Sequence, residues 1–129
     1  MSMQIVATWV CAVVMGVAAG GVRAQNAVIG VGVDSCVKWL AAREHKDRSA
    51  QAMYLSWVQG NLTGRLEDAV MNRPPETLGR LTLPDYNELQ LAMDATCRKN
   101  SNQPLFVATS SIWSSMLKRA GVPWLPQAK

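Results

Sequence analysis

Hydrophobic and polar positions change character twice along this chain. Residues 5–22 form an uncharged, apolar run rich in Val, Ala and Gly, followed by Val22-Arg23-Ala24. Small residues at 22 and 24 mark a cleavage site, so residues 1–24 read as a cleaved signal peptide. An uncleaved anchor is the alternative, because 18 apolar residues reach the lower limit for crossing a bilayer. Gly16 and Gly20 would then form a helix-packing face. Residues 25–33 are short, apolar and punctuated by Gly30 and Gly32, which predicts an extended lead-in.

From Asp34 onward the apolar spacing is helical. Asp34 or Ser35 is placed to cap a first helix through Cys36, Trp39, Leu40 and Arg43, which the polar stretch 44–48 ends. A second helix is predicted from 49 to about 69, with Met53, Trp57 and Leu62 near one face and Tyr54, Val58 and Asn61 beside them. Gly60 and Gly64 lie inside it, each costing roughly 1 kcal/mol relative to Ala, and so predict a second backbone crossing closely there. Asn72-Arg73-Pro74-Pro75 stops that helix. Thr82 as cap and Pro84 in the first turn predict a third helix with Tyr86, Leu89, Met93 and Cys97 inward.

After a turn at 100–104, a fourth helix is predicted over 105–120, with Leu105, Thr109, Ile112, Trp113, Met116 and Leu117 inward. Lys118 and Arg119 suit its C-terminal dipole, and Gly121 ends it. Trp124, in a tail holding Pro123 and Pro126, is placed to pin the chain end to the core. The pattern predicts a small all-α, four-helix domain over residues 34–129.

Composition narrows the class further. At 129 residues, 49% hydrophobic and 17% charged, the chain suits one domain and is too apolar for a disordered one. Its net charge of +4 is scattered among acids, which predicts no nucleic-acid surface. Cys11 falls within the leader, leaving Cys36 and Cys97 in an exported product, where an even pair is normally oxidised. Cys97 falls on the apolar face near the end of the third helix and Cys36 at the start of the first, where a bridge between them would be buried. Closing 61 residues this way destabilises the unfolded chain by about 4 kcal/mol in the loop-entropy description. Two free buried thiols are the alternative.

A search for chemistry finds no catalytic set, and no metal or cofactor is expected. Ser35-x-x-Lys38 matches a nucleophile motif of penicillin-binding enzymes, but the companion motifs are absent, and a helix cap followed by a solvated lysine explains it. The single histidine, His45, lies in a charged run and reads as a surface residue. Gly30-x-Gly32 lacks the third glycine of a dinucleotide loop. Asn61-x-Thr63 is a sequon, but its place in an apolar helix predicts burial. Glu67 and Asp68 are adjacent and diverge on a helix, which is unsuited to paired acid–base work.

Cys36-Val-Lys-Trp39, the block Tyr54-Leu55-Ser56-Trp57-Val58-Gln59-Gly60-x-Leu62-Thr63-Gly64, and Cys97 before a Pro-led final helix together resemble the Tai/Rap immunity protein family. These are small periplasmic proteins that neutralise peptidoglycan amidases delivered by type VI secretion. The resemblance runs from about residue 35 to 117, and the W-V-x-G-x-L-[ST]-G block is its most specific part. It implies an HdeA-like helical fold, a disulfide between the matching cysteines, a tendency to form a homodimer, and occlusion of an amidase groove. No binding residue carries over, and the loop at 71–82 departs from the family pattern. Arg73, Glu76 and Arg80 in that loop are the candidate partner contacts, against the simpler reading of a solvated connector. An HdeA-like stress chaperone, or a general envelope binding protein, is the alternative function. In either case the exported product is periplasmic and, once the leader is cut, free of the membrane.

Overall fold

The computed structural model describes residues 30–123. The signal peptide at 1–24, the start of the lead-in and the Trp124 anchor lie outside them. The described end of the lead-in is not extended. Gly30–Val33 makes a 3₁₀ turn. Gly30 takes φ +79°, and a Cβ on Gly32 would overlap the six-membered ring of Trp57. A residue with a side chain at 32 would therefore push this segment off the bundle, a close approach that glycine permits.

Four helices follow: α1 (Cys36–Glu44), α2 (Arg48–Asn72), α3 (Tyr86–Lys99) and α4 (Leu105–Ala120), with no strand among the described residues. Ser35 is the N-cap of α1, yet its side chain makes no capping bond. The orphan N–H groups of Cys36 and Val37 instead donate to the Gln103 and Ser101 carbonyls of the α3–α4 turn, both at 2.9 Å. Leu105 N–H donates back to the Asp34 carbonyl at 2.8 Å, so the starts of α1 and α4 are pinned together. Helix α1 ends with Lys46 at φ 54°, and the Lys46 and Asp47 N–H groups return to the Arg43 and Ala42 carbonyls. This is a Schellman ending built on a non-glycine residue.

The Asp47 side chain caps α2 by accepting from Ala50 N–H at 3.0 Å. Its buried face is Gln51, Tyr54, Leu55, Val58, Leu62 and Ala69. Two expectations fail here. Met53 is 49% exposed and Trp57 only half-buried, because the buried stripe runs through Tyr54, Leu55, Val58 and Leu62. Among the described residues, nothing lies within 4 Å of a Cβ built on Gly60 or Gly64, so none of their backbone crosses there. Helix α3 begins later than Thr82 suggests: Asp85 and Glu88 form a reciprocal capping box. Leu89, Met93 and Cys97 are buried as expected, but Tyr86, in the first turn, is 53% exposed.

Helix α4 has the predicted bounds and inward residues, with Ala108 added. Gly121 ends it at φ +70°, and Val122 tucks back into the core behind it. The core gathers Trp39, Leu55, Leu62, Met93 and Leu105, which are almost wholly buried. Each such side chain contributes roughly 1.5–3 kcal/mol. Cys36 and Cys97, both fully buried, are joined by the predicted disulfide and tie α1 to α3.

Candidate functional site

The proline-rich connector between α2 and α3 is anchored rather than loose. Pro75–Thr77 forms a 3₁₀ turn, and the Thr77 hydroxyl donates to the Pro74 carbonyl at 2.7 Å. Leu81 is buried, with Leu78 and Leu83 packed partly against the core. The three candidate contacts take different roles. Arg73 donates from Nη1 to the Pro123 carbonyl at 2.6 Å, tying the connector to the end of α4, while Glu76 and Arg80 are exposed.

Of the three, only Arg80 lines the adjoining groove, an open cleft of about 650 Å³ between α3 and α4. Helix α3 supplies Glu88, Leu91, Ala92, Ala95, Thr96 and Lys99. Those positions are one helical stripe, so the lining follows α3 for three turns. Helix α4 supplies Ile112, Ser115, Met116, Arg119 and Ala120 at the matching spacing. Ile112 and Met116 are buried beneath it, and Leu91 stands 66% exposed. Arg80, Lys99 and Arg119 bring three positive charges against the single carboxylate of Glu88. That carboxylate accepts from the Asp85 N–H at 3.0 Å and is already part of the α3 cap.

A buried polar cluster lies across α1, α2 and α3. Asp94, 4% exposed, accepts from Trp39 Nε1 at 2.9 Å and from Arg43 Nε and Nη2 at 3.1 and 3.0 Å. Arg43 also donates to Gln51 Oε1 at 3.1 Å, and Gln51 Nε2 donates to the Ala42 carbonyl at 2.8 Å. The Arg43 guanidinium stands 5.8 Å from the Trp39 ring centroid. With both carboxylate oxygens occupied, Asp94 is arranged to hold helices together. The chain pattern marks Met93 as inward, but it gives no cue that the adjacent Asp94 turns inward with it.

In the Ser35-x-x-Lys38 stretch, Lys38 is engaged in an ion pair. Lys38 Nζ donates to Asp34 Oδ1 at 2.6 Å, and the Tyr54 hydroxyl donates to Asp34 Oδ2 at 3.2 Å. The Lys38 ammonium holds the Asp34 carboxyl below its usual range, and Asp34 in turn raises Lys38. Tyr54 is pushed up, first by burial and then by the Asp34 charge. His45 is exposed at the end of α1. Asn61, only half-buried, accepts from Arg65 Nε at 2.8 Å, and Arg65 Nη2 reaches Ser110 on α4 at 2.9 Å. Burial lowers the Arg65 pKa.

Among the described residues, no three His, Cys, Asp or Glu side chains gather as a metal site. No helix among them is long and apolar enough to cross a membrane. Comparison with known protein families, curated proteins and solved structures finds no match to this chain.

Proposed function

We propose that the chain is a periplasmic inhibitory binding protein that obstructs a peptidoglycan amidase, the role implied by its resemblance to the Tai/Rap immunity proteins. Occlusion requires a stiff body with an accessible recognition surface and no reacting groups. The observation that carries the reading is the cationic α3–α4 groove, held on a bundle whose α1 and α3 are covalently joined. A preformed surface spends little ordering entropy on binding. In the resembling block, Tyr54, Val58 and Leu62 are buried and Trp57 is half-buried. These shared residues support the scaffold and leave the surface to vary with the partner. The proposal includes export, with cleavage after Ala24.

Affinity capture from envelope extract, followed by peptidoglycan assays on any captured amidase, tests this reading. The captured amidase should lose activity in proportion to added protein. A captured set without an amidase, or an amidase still active at saturation, contradicts it. The exposed apolar side chains Val70, Met71 and Leu91 favour a second reading as an acid-stress chaperone. That reading requires suppression of aggregation at low pH by protein with no amidase partner.

A further inference from the structure

We infer that the α3–α4 groove is a docking site for an acidic amphipathic helix presented by a protein partner. The inference rests on the protein-binding role proposed above and names the surface and the chemistry it recognises. Three observations converge on it. The lining residues of α3 extend from Glu88 to Lys99, a length of roughly 16 Å at the rise of an α-helix, which matches about three turns of a guest helix. Ala92 and Ala95 keep the α3 wall low, so a guest backbone can approach closely, and Leu91 stands at the rim as an exposed apolar contact.

Charge then selects the guest. Lys99 ends α3 and Arg119 lies in the last turn of α4. Because the short turn at 100–104 folds α4 back along α3, these cations fall toward opposite ends of the groove, and Arg80 adds a third charge. Arg80, Lys99 and Arg119 outnumber the one carboxylate, Glu88, so the groove presents a net positive field. A helix with an apolar face seats its side chains over the floor, and carboxylates at its two ends meet the rim cations.

The test uses the full, disulfide-bonded chain and three fluorescein-labelled peptides of about fourteen residues. One carries Leu at i, i+4, i+7 and i+11 with flanking Glu. The second replaces Glu by Lys, and the third scrambles the order of the first. Fluorescence anisotropy should show the Glu peptide binding about tenfold or more tightly than the others, and weakening as salt is raised. The rim variant R80E/K99E/R119E should weaken that binding about tenfold or more. Ala95→Trp, which fills the groove and leaves every charge in place, should do the same. Both changes are at exposed positions, and unchanged far-UV circular dichroism and melting temperature check the fold.

Equal affinity for the Glu and Lys peptides overturns the inference, as does unchanged binding in the two folded variants. Self-association that Ala95→Trp abolishes also overturns it, because the occupant would then be a second copy. Amidase inhibition by wild type that persists in both variants removes the groove from the interface and leaves the inhibitory role standing. Peptide binding as expected, with no amidase inhibited by wild type, upholds the groove and rejects that role.

Discussion

Replacing Asp94 by Ala should destabilise the protein by about 3–5 kcal/mol, the range for leaving one member of a buried charged pair without its partner. The carboxylate serves three helices at once: it sits on α3, receives Trp39 and Arg43 from α1, and reaches Gln51 of α2 through Arg43. Its loss leaves the Trp39 indole N–H without its acceptor in a fully buried position, itself worth roughly 1–3 kcal/mol. It also strands a guanidinium whose side chain is only 30% exposed. A domain of this size is stable by about 5–15 kcal/mol, so a large part of the total is at stake. Asp94→Asn keeps an acceptor for Trp39 and removes the negative charge that faces the Arg43 guanidinium, so it should cost less, about 1.5–3 kcal/mol. Arg98, 68% exposed and 3.7 Å from Asp94, is the control. Arg98→Gln should change stability by no more than about 0.5 kcal/mol. Urea unfolding followed by circular dichroism, with the disulfide intact, measures all three. If Asp94→Ala costs under about 1 kcal/mol, or Arg98→Gln costs as much as Asp94→Ala, the cluster does not join the helices as described.

Three further outcomes follow from particular residues. Reducing Cys36–Cys97 should lower stability by about 4 kcal/mol, read as a drop in the urea midpoint with added reductant; an unchanged midpoint rejects the cross-link's role. Gly60→Ala and Gly64→Ala should each stabilise by up to about 1 kcal/mol, because an added Cβ meets nothing within 4 Å. A lower melting temperature in either variant would mean that this face is packed after all. Asp34 has a lowered pKa in the folded state, so its contribution is present above the ordinary value of 3.8 and is lost as pH falls through the lower folded value. Asp34→Asn should therefore flatten the acid limb of the stability curve. It should also let Tyr54 ionise at a lower pH by ultraviolet titration, because one of the groups raising it has been neutralised. An unaltered acid limb would remove the Lys38–Asp34 pair from the account.

The parts of this fold legible in sequence are those where side-chain type and position carry the same message. Helix α4 is one: Leu105, Ile112, Met116 and Leu117 share an apolar face, the last turn is basic, and Gly121 supplies the left-handed stop. The cysteine pair is another, since Cys97 sits on a face marked as inward and Cys36 is its one remaining partner once the leader is set aside. Helix α2 is harder to read because its apolar residues are not confined to one side. Met53, Val70 and Met71 are exposed, while Gln51 is buried by bonding to Ala42 and Arg43. Its glycines mislead for a related reason: close packing is only one explanation for a mid-helix glycine, and the described residues provide no contact at either. Ser35 looks like a capping residue, but the Val37 N–H it would serve donates to the Ser101 carbonyl of the α3–α4 turn, more than sixty residues away, and the Lys38 N–H to the Ser35 carbonyl. The site shows the same division. Arg80 was recognisable as a loop cation, whereas Lys99, Arg119 and the intervening Ala92 and Ala95 become one surface only when α3 and α4 are laid side by side.

The measurement that tests the central claim most directly is an activity titration of a type VI amidase effector captured by this protein, with peptide release from peptidoglycan as the readout. Disulfide-bonded wild type should reduce the activity linearly to zero near one equivalent, and Ala95→Trp should require a clear excess for the same effect. Full activity in the presence of a tenfold excess of folded wild type would contradict the account.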